Sequence, residues 1–181
     1  MCFRVASILR AIVFWLLTGG VGLAQQPQPS EYQLKSAYLF NFARFVEWPK
    51  TALATPTTPL VIGILGENPF HEDLSKTIGN KTVDSHPVVI QEFRSVTDVT
   101  NCHVLFISTS EKKQLPEIFQ SLKGTSVLTV GETDHFTETG GMINFFMEGT
   151  KIRFQINKEA AGAGGLKISS KLMALATRPG G

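Results

Sequence analysis

LVIGILG, residues 60 to 66, is a continuous apolar run that ends in glycine. A run of this length suits a strand better than a helix, and the lack of polar alternation is typical of a strand that is buried on both faces. Such strands occur in parallel sheets that carry helices on both sides. The segment therefore predicts a central strand of an α/β fold.

The chain downstream of this strand alternates between helix-like and strand-like segments. Consecutive strands that are joined through helices form parallel sheets, with the helices distributed over the two faces. The predicted order is a helix at Pro69 to Ile78, an extended region at Lys81 to Phe93 with a break near Ser85, a strand at His103 to Ser108, a helix at Glu111 to Leu122 and a strand at Ser126 to Val130.

The last third of the chain has a different pattern. Two apolar segments, Met142 to Met147 and Ile152 to Ile156, flank a short loop with Gly149, which predicts a β-hairpin. Two helical segments, Lys158 to Ala163 and Leu166 to Ala176, are predicted after it. The expected fold is a three-layer α/β sandwich with a mainly parallel central sheet, a C-terminal β-hairpin and helices on both faces.

Upstream of the first strand and a Thr/Pro/Ala linker lies the aromatic segment YQLKSAYLFNFARFVEWP, Tyr32 to Pro49. Ser30 is a suitable N-cap, Glu31 and Lys35 form a favourable i,i+4 pair, and Pro49 disfavours helical geometry just before it. The segment predicts a helix with apolar residues around most of its circumference. Such a helix is either buried between layers or exposes one side for a partner.

Residues 1 to 24 have the features of a secretory signal peptide. Arg4 and Arg10 supply the basic residues, Ala11 to Leu17 supplies the apolar core, and small residues precede a cut after Ala24. The sequence therefore predicts an exported protein.

Cleavage there leaves a chain that begins at Gln25, and residues 25 to 181 are expected to form a single domain. The alternative is an uncleaved membrane anchor, because Val5 to Ala24 is nearly long enough to span a bilayer.

Charge and cysteine content narrow the function further. The sequence has 17 Lys and Arg against 15 Asp and Glu, and Arg4 and Arg10 account for the excess, so the exported part is formally neutral. A neutral chain without a basic stripe argues against nucleic-acid binding. After loss of Cys2, Cys102 has no intramolecular partner, so it is expected to be a buried thiol or to form an intermolecular disulfide.

Motifs for catalysis or cofactor binding are weak. Gly63 to Gly66 follows a strand but lacks the third glycine and the phosphate lysine of nucleotide-binding loops, so it is interpreted as a strand-end turn. The chain has no G-x-S-x-G elbow. Four titratable residues in a polar loop match no metal-ligand spacing and are interpreted as solvated charges: Glu132, Asp134, His135 and Glu138. No catalytic residue, metal or cofactor is predicted.

Four segments occur in an order that resembles the YfiR-like family of bacterial periplasmic proteins: KSAYLFNFARFVEWP, LVIGILGENPF, CHVLFIS with SVLTVGE, and GGMINFFMEGTKIRFQINKEAAGAGGLKISSKLMALA. The similarity extends over residues 32 to 176. It implies a non-catalytic periplasmic regulator that represses an inner-membrane diguanylate cyclase and so lowers cyclic di-GMP. A sensor kinase is the alternative membrane partner. It also implies a homodimer and release by an outer-membrane lipoprotein.

The cysteines depart from this resemblance. Well-known members of the family carry paired cysteines, whereas here Cys102 is alone and Gly63 takes the place of its partner. No disulfide is expected within this chain.

Two sites are predicted, one for each of two functions. A binding regulator would use the aromatic helix and the tail, with contact residues Tyr38, Phe45, Trp48, Ile168, Leu172 and Leu175. The alternative is a periplasmic small-molecule sensor, whose ligand would lie at the carboxyl ends of the parallel strands near Gly66, Glu67, Asn68, Ser108 and Ser110. A hydrolase is the third hypothesis, and the sequence offers it no preferred nucleophile and base.

Overall fold

The computed structural model describes residues 28–55 and 57–177, and these form a seven-stranded sheet, a separate two-stranded sheet and five α-helices. The predicted signal peptide, residues 1 to 24, and the predicted mature start at Gln25 lie outside the described residues. Among the helices that are described, none combines the length and the apolar character that a bilayer crossing requires.

The elements follow one another in the alternating order that the sequence predicts. In chain order they are α1 (Glu31–Phe45), β1 (Val46–Glu47), β2 (Leu60–Leu65), α2 (Asp73–Ile78), β3 (Thr82–Val83), β4 (His86–Phe93), β5 (Val104–Ile107), α3 (Leu115–Ser121), β6 (Leu128–Gly131), β7 (Ile143–Glu148), β8 (Lys151–Ile156), α4 (Lys158–Ala163), β9 (Lys167–Ile168) and α5 (Ser170–Leu175).

The large sheet has the strand order β3-β4-β2-β5-β6-β7-β8. Its five central strands are parallel to one another, and the edge strands β3 and β8 are each antiparallel to the neighbouring strand. Strand β2 lies near the middle and is buried at all six positions. The mainly parallel sheet and the C-terminal hairpin of β7 and β8 are therefore confirmed.

Two hydrophobic clusters fill the two faces of the sheet, because alternate residues of each strand point to opposite sides. On β2, Ile62 and Ile64 belong to the cluster under α1 and α2, whereas Val61 and Leu65 belong to the cluster under α3. Helices thus cover both faces, which confirms the three-layer α/β prediction.

Helix α1 begins as predicted and ends earlier than predicted. The Ser30 side chain accepts a hydrogen bond from the Gln33 backbone N–H and caps the helix. The helix ends at Phe45, rather than next to Pro49, because Val46 and Glu47 pair with the distant strand β9. This pairing fastens the end of α1 to the C-terminal part of the chain.

The predicted tail helix from Leu166 to Ala176 is also interrupted by that pairing. Lys167–Ile168 forms strand β9, and α5 begins only after Ser169, whose side chain accepts from the Leu172 N–H. Helix α2 likewise begins at Asp73 and not at Pro69, because the Asn68 side chain accepts from the Phe70 N–H and sets a turn first.

Candidate functional site

Helix α1 lies across the sheet with one face buried and the other exposed. The core face presents Leu39, Phe42 and Ala43, all of which are fully buried. The outer face carries the exposed Leu34 and Ala37 and the half-buried Tyr38. The helix is therefore not buried between layers: one face packs on the sheet, and the other presents apolar side chains outward.

Tyr38 connects these two faces. Its ring centroid lies 5.8 Å from that of Phe145 and 5.6 Å from that of Phe154, on strands β7 and β8. It also lies 6.1 Å from the ring of Phe42. One part of the Tyr38 ring therefore belongs to the aromatic core, and the rest remains accessible.

The predicted contact residues differ in how far they are buried. Leu172 is only 2% exposed and is part of the core, so its prediction as a contact residue is corrected. Phe45 and Ile168 are half-buried at the end of α1 and in β9. The Trp48 indole lies edge-on to the His103 ring at 5.7 Å. Leu175 is 64% exposed.

Two exposed residues were missed by the sequence interpretation. Leu34 is 41% exposed one helical turn before Tyr38, and Met147 is 47% exposed two residues after the buried Phe145 on the same side of β7. Helical spacing from Tyr38 and strand alternation from Phe145 could have indicated both. We define the contact surface as Leu34, Tyr38, Met147 and Leu175.

A buried charge cluster attaches α1 to the carboxyl end of β6. Lys35, 4% exposed, forms ion pairs with Glu31 and with Glu132. The Tyr32 hydroxyl donates to Glu132 at 3.0 Å. Burial, with the nearby Glu132 charge, raises the pKa of Tyr32 to about 12. Glu132 thus has a structural partner, and it is not a free loop charge.

The other members of that polar loop do not form a metal site either. His135 and Glu138 contact each other at 2.7 Å and are both exposed. Among the residues that the structure describes, no group of three or more His, Cys, Asp or Glu is placed to hold a metal ion.

The crevice at the carboxyl ends of the strands is brought together as predicted, but its polar groups bind one another. The Glu67 N–H donates to Ser110 Oγ at 3.1 Å, and Ser110 donates to Glu111 at 3.0 Å. The side chains of Ser110 and Glu111 lie over Gly66. A Cβ atom added at Gly66 would collide with both, because Glu111 Oε1 would be only 2.6 Å from it. Asn68 donates to Glu92 at 2.6 Å. Ser108 caps the following turn by accepting from the Ser110 N–H. These contacts leave little room for a ligand above Gly66.

Cys102 lies at the amino ends of the central strands, just before β5 begins. It is 7% exposed, and its Sγ donates to the Val104 carbonyl at 3.2 Å. Burial raises the pKa of the Cys102 thiol to about 12. A Cβ added at Gly63 would lie 2.7 Å from this sulfur, so Gly63 is its direct neighbour.

We expect the Cys102 thiol to be inert in the folded protein. In the chain that begins at Gln25, an aromatic disulfide reagent at pH 8 should label it only after denaturation, because the thiolate is the reactive species. A non-reducing gel should show no covalent dimer. Rapid stoichiometric labelling of the native protein would contradict the buried position.

His103 is held by backbone groups on both ring nitrogens. Nδ1 accepts from the Val61 N–H at 3.1 Å, and Nε2 donates to the Ala52 carbonyl at 3.1 Å. Burial lowers the pKa of His103. A second imidazole, His86, contacts the Thr58 carbonyl at 2.8 Å. The two rings therefore fasten both ends of the linker that precedes β2.

We expect the free energy of unfolding to decrease as the pH falls below about 6.5, the pKa of an unperturbed histidine. The folded-state pKa of His103 is the lower one, so the unfolded chain binds the proton first, and the slope contributed is at most about 1.4 kcal/mol per pH unit. Urea unfolding of the wild type and of His103→Gln at pH 7.5 and 5.5 measures this. An equal decrease in both proteins would exclude His103 as its source.

Comparison with known proteins gives a family and a fold. Residues 32–177 match a protein family that is described as YfiR/HmsC-like. Among solved structures, a conserved domain protein from Vibrio cholerae is similar, with a TM-score of 0.56 and 13% sequence identity. The match covers 82% of this chain and 60% of that protein, so this chain spans less than two thirds of its length. At this identity the similarity shows a shared fold alone.

Proposed function

Because the chain belongs to the YfiR/HmsC-like family, we propose that it is a periplasmic regulatory protein that binds an inner-membrane signalling enzyme and represses it. The family match, which covers nearly all of the described residues, is the observation that carries this proposal. The resemblance implies a diguanylate cyclase as the enzyme, so that binding lowers cyclic di-GMP. A sensor kinase is the alternative membrane partner.

The contacts of the polar groups and the exposure of the apolar ones support a binding role. Glu132 and Lys35 neutralise each other beneath α1, and Ser110 is bonded to Glu67 and Glu111. These contacts are made within the fold, and they tie the polar groups to their own neighbours. In contrast, the apolar side chains of Leu34, Met147 and Leu175 are 41%, 47% and 64% exposed and are available to a partner.

The contact surface is the place where the partner would bind. Its four residues belong to α1, α5 and β7, whose buried side chains pack in the same hydrophobic cluster on one face of the sheet. Three of them are among the large hydrophobic residues that are most exposed: Leu34, Met147 and Leu175. The Arg153–Glu148 ion pair of 2.9 Å lies on the opposite face of the hairpin, because Arg153 pairs with Phe146 and not with Phe145 or Met147. Exposed apolar side chains that share one face are typical of protein interfaces.

The resemblance also implies a homodimer and a releasing lipoprotein. Each would compete with the membrane enzyme for an exposed apolar surface. A dimer that covers Leu34 and Leu175 would hide the contact surface until it dissociates. A lipoprotein that binds this surface would sequester the regulator from the cyclase. Both are part of the proposal and rest on the resemblance.

Deletion of the gene tests the proposed function. We expect cyclic di-GMP, measured by mass spectrometry of cell extracts, to rise several-fold and to return to the wild-type concentration when the full-length gene is restored. A gene that lacks codons 2 to 24 should fail to restore it, because its product stays in the cytoplasm. No rise in any growth condition, or full restoration by the leaderless gene, would contradict the proposal.

A further inference from the structure

A cavity of about 570 Å³ opens at the amino ends of β2, β5 and β6. The Gly66 crevice lies at the opposite, carboxyl ends of the strands. Its walls come from three connections: the linker before β2, the segment before β5 and the turn between α3 and β6. The volume lies in the range of small-molecule sites in proteins.

The lining of this cavity carries no formal charge. Apolar groups from Val61, Leu122 and Val127 form one part of the wall, and hydroxyl and amide groups from residues such as Asn101 and Ser126 form another. His103 also lines it, and burial lowers the pKa of that imidazole, so it stays neutral near pH 7. An ionic ligand would lose hydration here without gaining a counter-charge. An uncharged ligand loses less hydration energy, and its polar group can bond to the hydroxyl and amide groups of the wall.

The linker wall is held in place before any ligand arrives. Ala52 and Thr58, both in the lining, are the residues whose carbonyls contact His103 and His86. A connection rich in Thr and Pro would otherwise be expected to move. A wall that is fixed in advance lowers the cost of ordering on binding.

The same wall is in contact with the end of the aromatic helix. The His103 ring that holds Ala52 lies edge-on to Trp48, and Trp48 directly follows strand β1 after α1. The neighbouring Phe45 carbonyl accepts from the Ser169 N–H, which precedes α5. These contacts connect His103 to the junction of α1, β9 and α5.

We propose that this cavity binds an uncharged small molecule that has an apolar body and a hydroxyl or carbonyl group, and that Trp48 reports its occupancy to the end of α1. The binding half of this proposal is independent of the proposed repressor function. Ligand binding by the cavity can be tested in the purified protein, without a partner.

A titration of ¹⁵N-labelled protein with benzyl alcohol tests the site, with benzoate and benzylammonium as charged probes of the same shape. We expect saturable shifts of the Asn101 and Ser126 amides and of the Trp48 indole N–H, with a dissociation constant on the order of 1 mM for so small a ligand. The charged probes should bind at least about tenfold more weakly.

Variants of the wall give the control. Ser126→Phe should fill the cavity and abolish the shifts, whereas Ser121→Phe, at an exposed position of α3, should leave them unchanged. If Ser126→Phe does not fold, Thr51→Phe is the second blocking variant, because Thr51 lines the opposite wall of the cavity. Equal binding of the three probes, shifts centred on Leu34 and Leu175, or unchanged binding by the blocking variants would overturn the site. Shifts at Asn101 and Ser126 without one at Trp48 would overturn the coupling.

Discussion

Replacement of Lys35 by methionine is expected to lower the free energy of unfolding by about 3–5 kcal/mol, the usual cost of breaking a buried ion pair from one side. The Glu132 side chain is only 11% exposed, and the substitution leaves it with the Tyr32 hydroxyl alone as a neutral donor. Glu31, the other partner, is 45% exposed and can be hydrated. Urea unfolding followed by tryptophan fluorescence measures the change.

Two further variants show whether burial is the cause. Lys76→Met breaks an ion pair with Glu72 that is exposed on both sides, and it should change stability little. The double variant Lys35→Met with Glu132→Gln removes the stranded charge and should recover part of the loss. If Lys35→Met cost no more than Lys76→Met, the ion pair beneath α1 would not be a main attachment of the helix.

Truncation of Phe42 to alanine should cost a similar amount, about 3–5 kcal/mol, as for other fully buried aromatic residues. Phe42 is 0% exposed, and its ring lies 5.5 Å from that of Phe145 and 5.1 Å from that of Phe154. These contacts join α1 to the hairpin, so the variant should also loosen the arrangement of the contact surface. The same unfolding measurement gives the value.

Phe40 on the same helix is the matched control. Its ring is half-buried, with Lys81 Nζ 5.1 Å and Arg44 Cζ 5.9 Å from the centroid, and it contributes less to the core. Phe40→Ala should therefore cost clearly less than Phe42→Ala. Equal losses would mean that the orientation of α1 on the sheet differs from the one described.

The central strands were predictable because their information is local. An unbroken apolar run such as Leu60 to Leu65 has to be covered on both faces, and the helical segments between the strands then require a mostly parallel sheet. The helix end was not predictable in this way. Phe45 is the last helical residue because Val46 and Glu47 pair with Lys167 and Ile168, which are far away in the sequence.

The contact surface was predictable only in part, because composition does not say which side of a helix faces the sheet. Tyr38 and Leu175 were predicted and are accessible, whereas Leu172 is buried and Leu34 and Met147 were missed. The Glu31 and Lys35 pair was expected from helical spacing, but the burial of Lys35 depends on Glu132, which comes from a distant loop.

The most direct test of regulation through the contact surface is the cyclic di-GMP concentration in the deletion strain that carries Leu34→Glu together with Leu175→Glu. Both positions are exposed, so the variant should fold, and it should leave cyclic di-GMP at the high concentration of the deletion strain. Val89→Glu, which is 41% exposed on β4 and outside the contact surface, should restore the low concentration as the wild type does. Full restoration by the double variant, exported at the wild-type amount, would contradict the assignment.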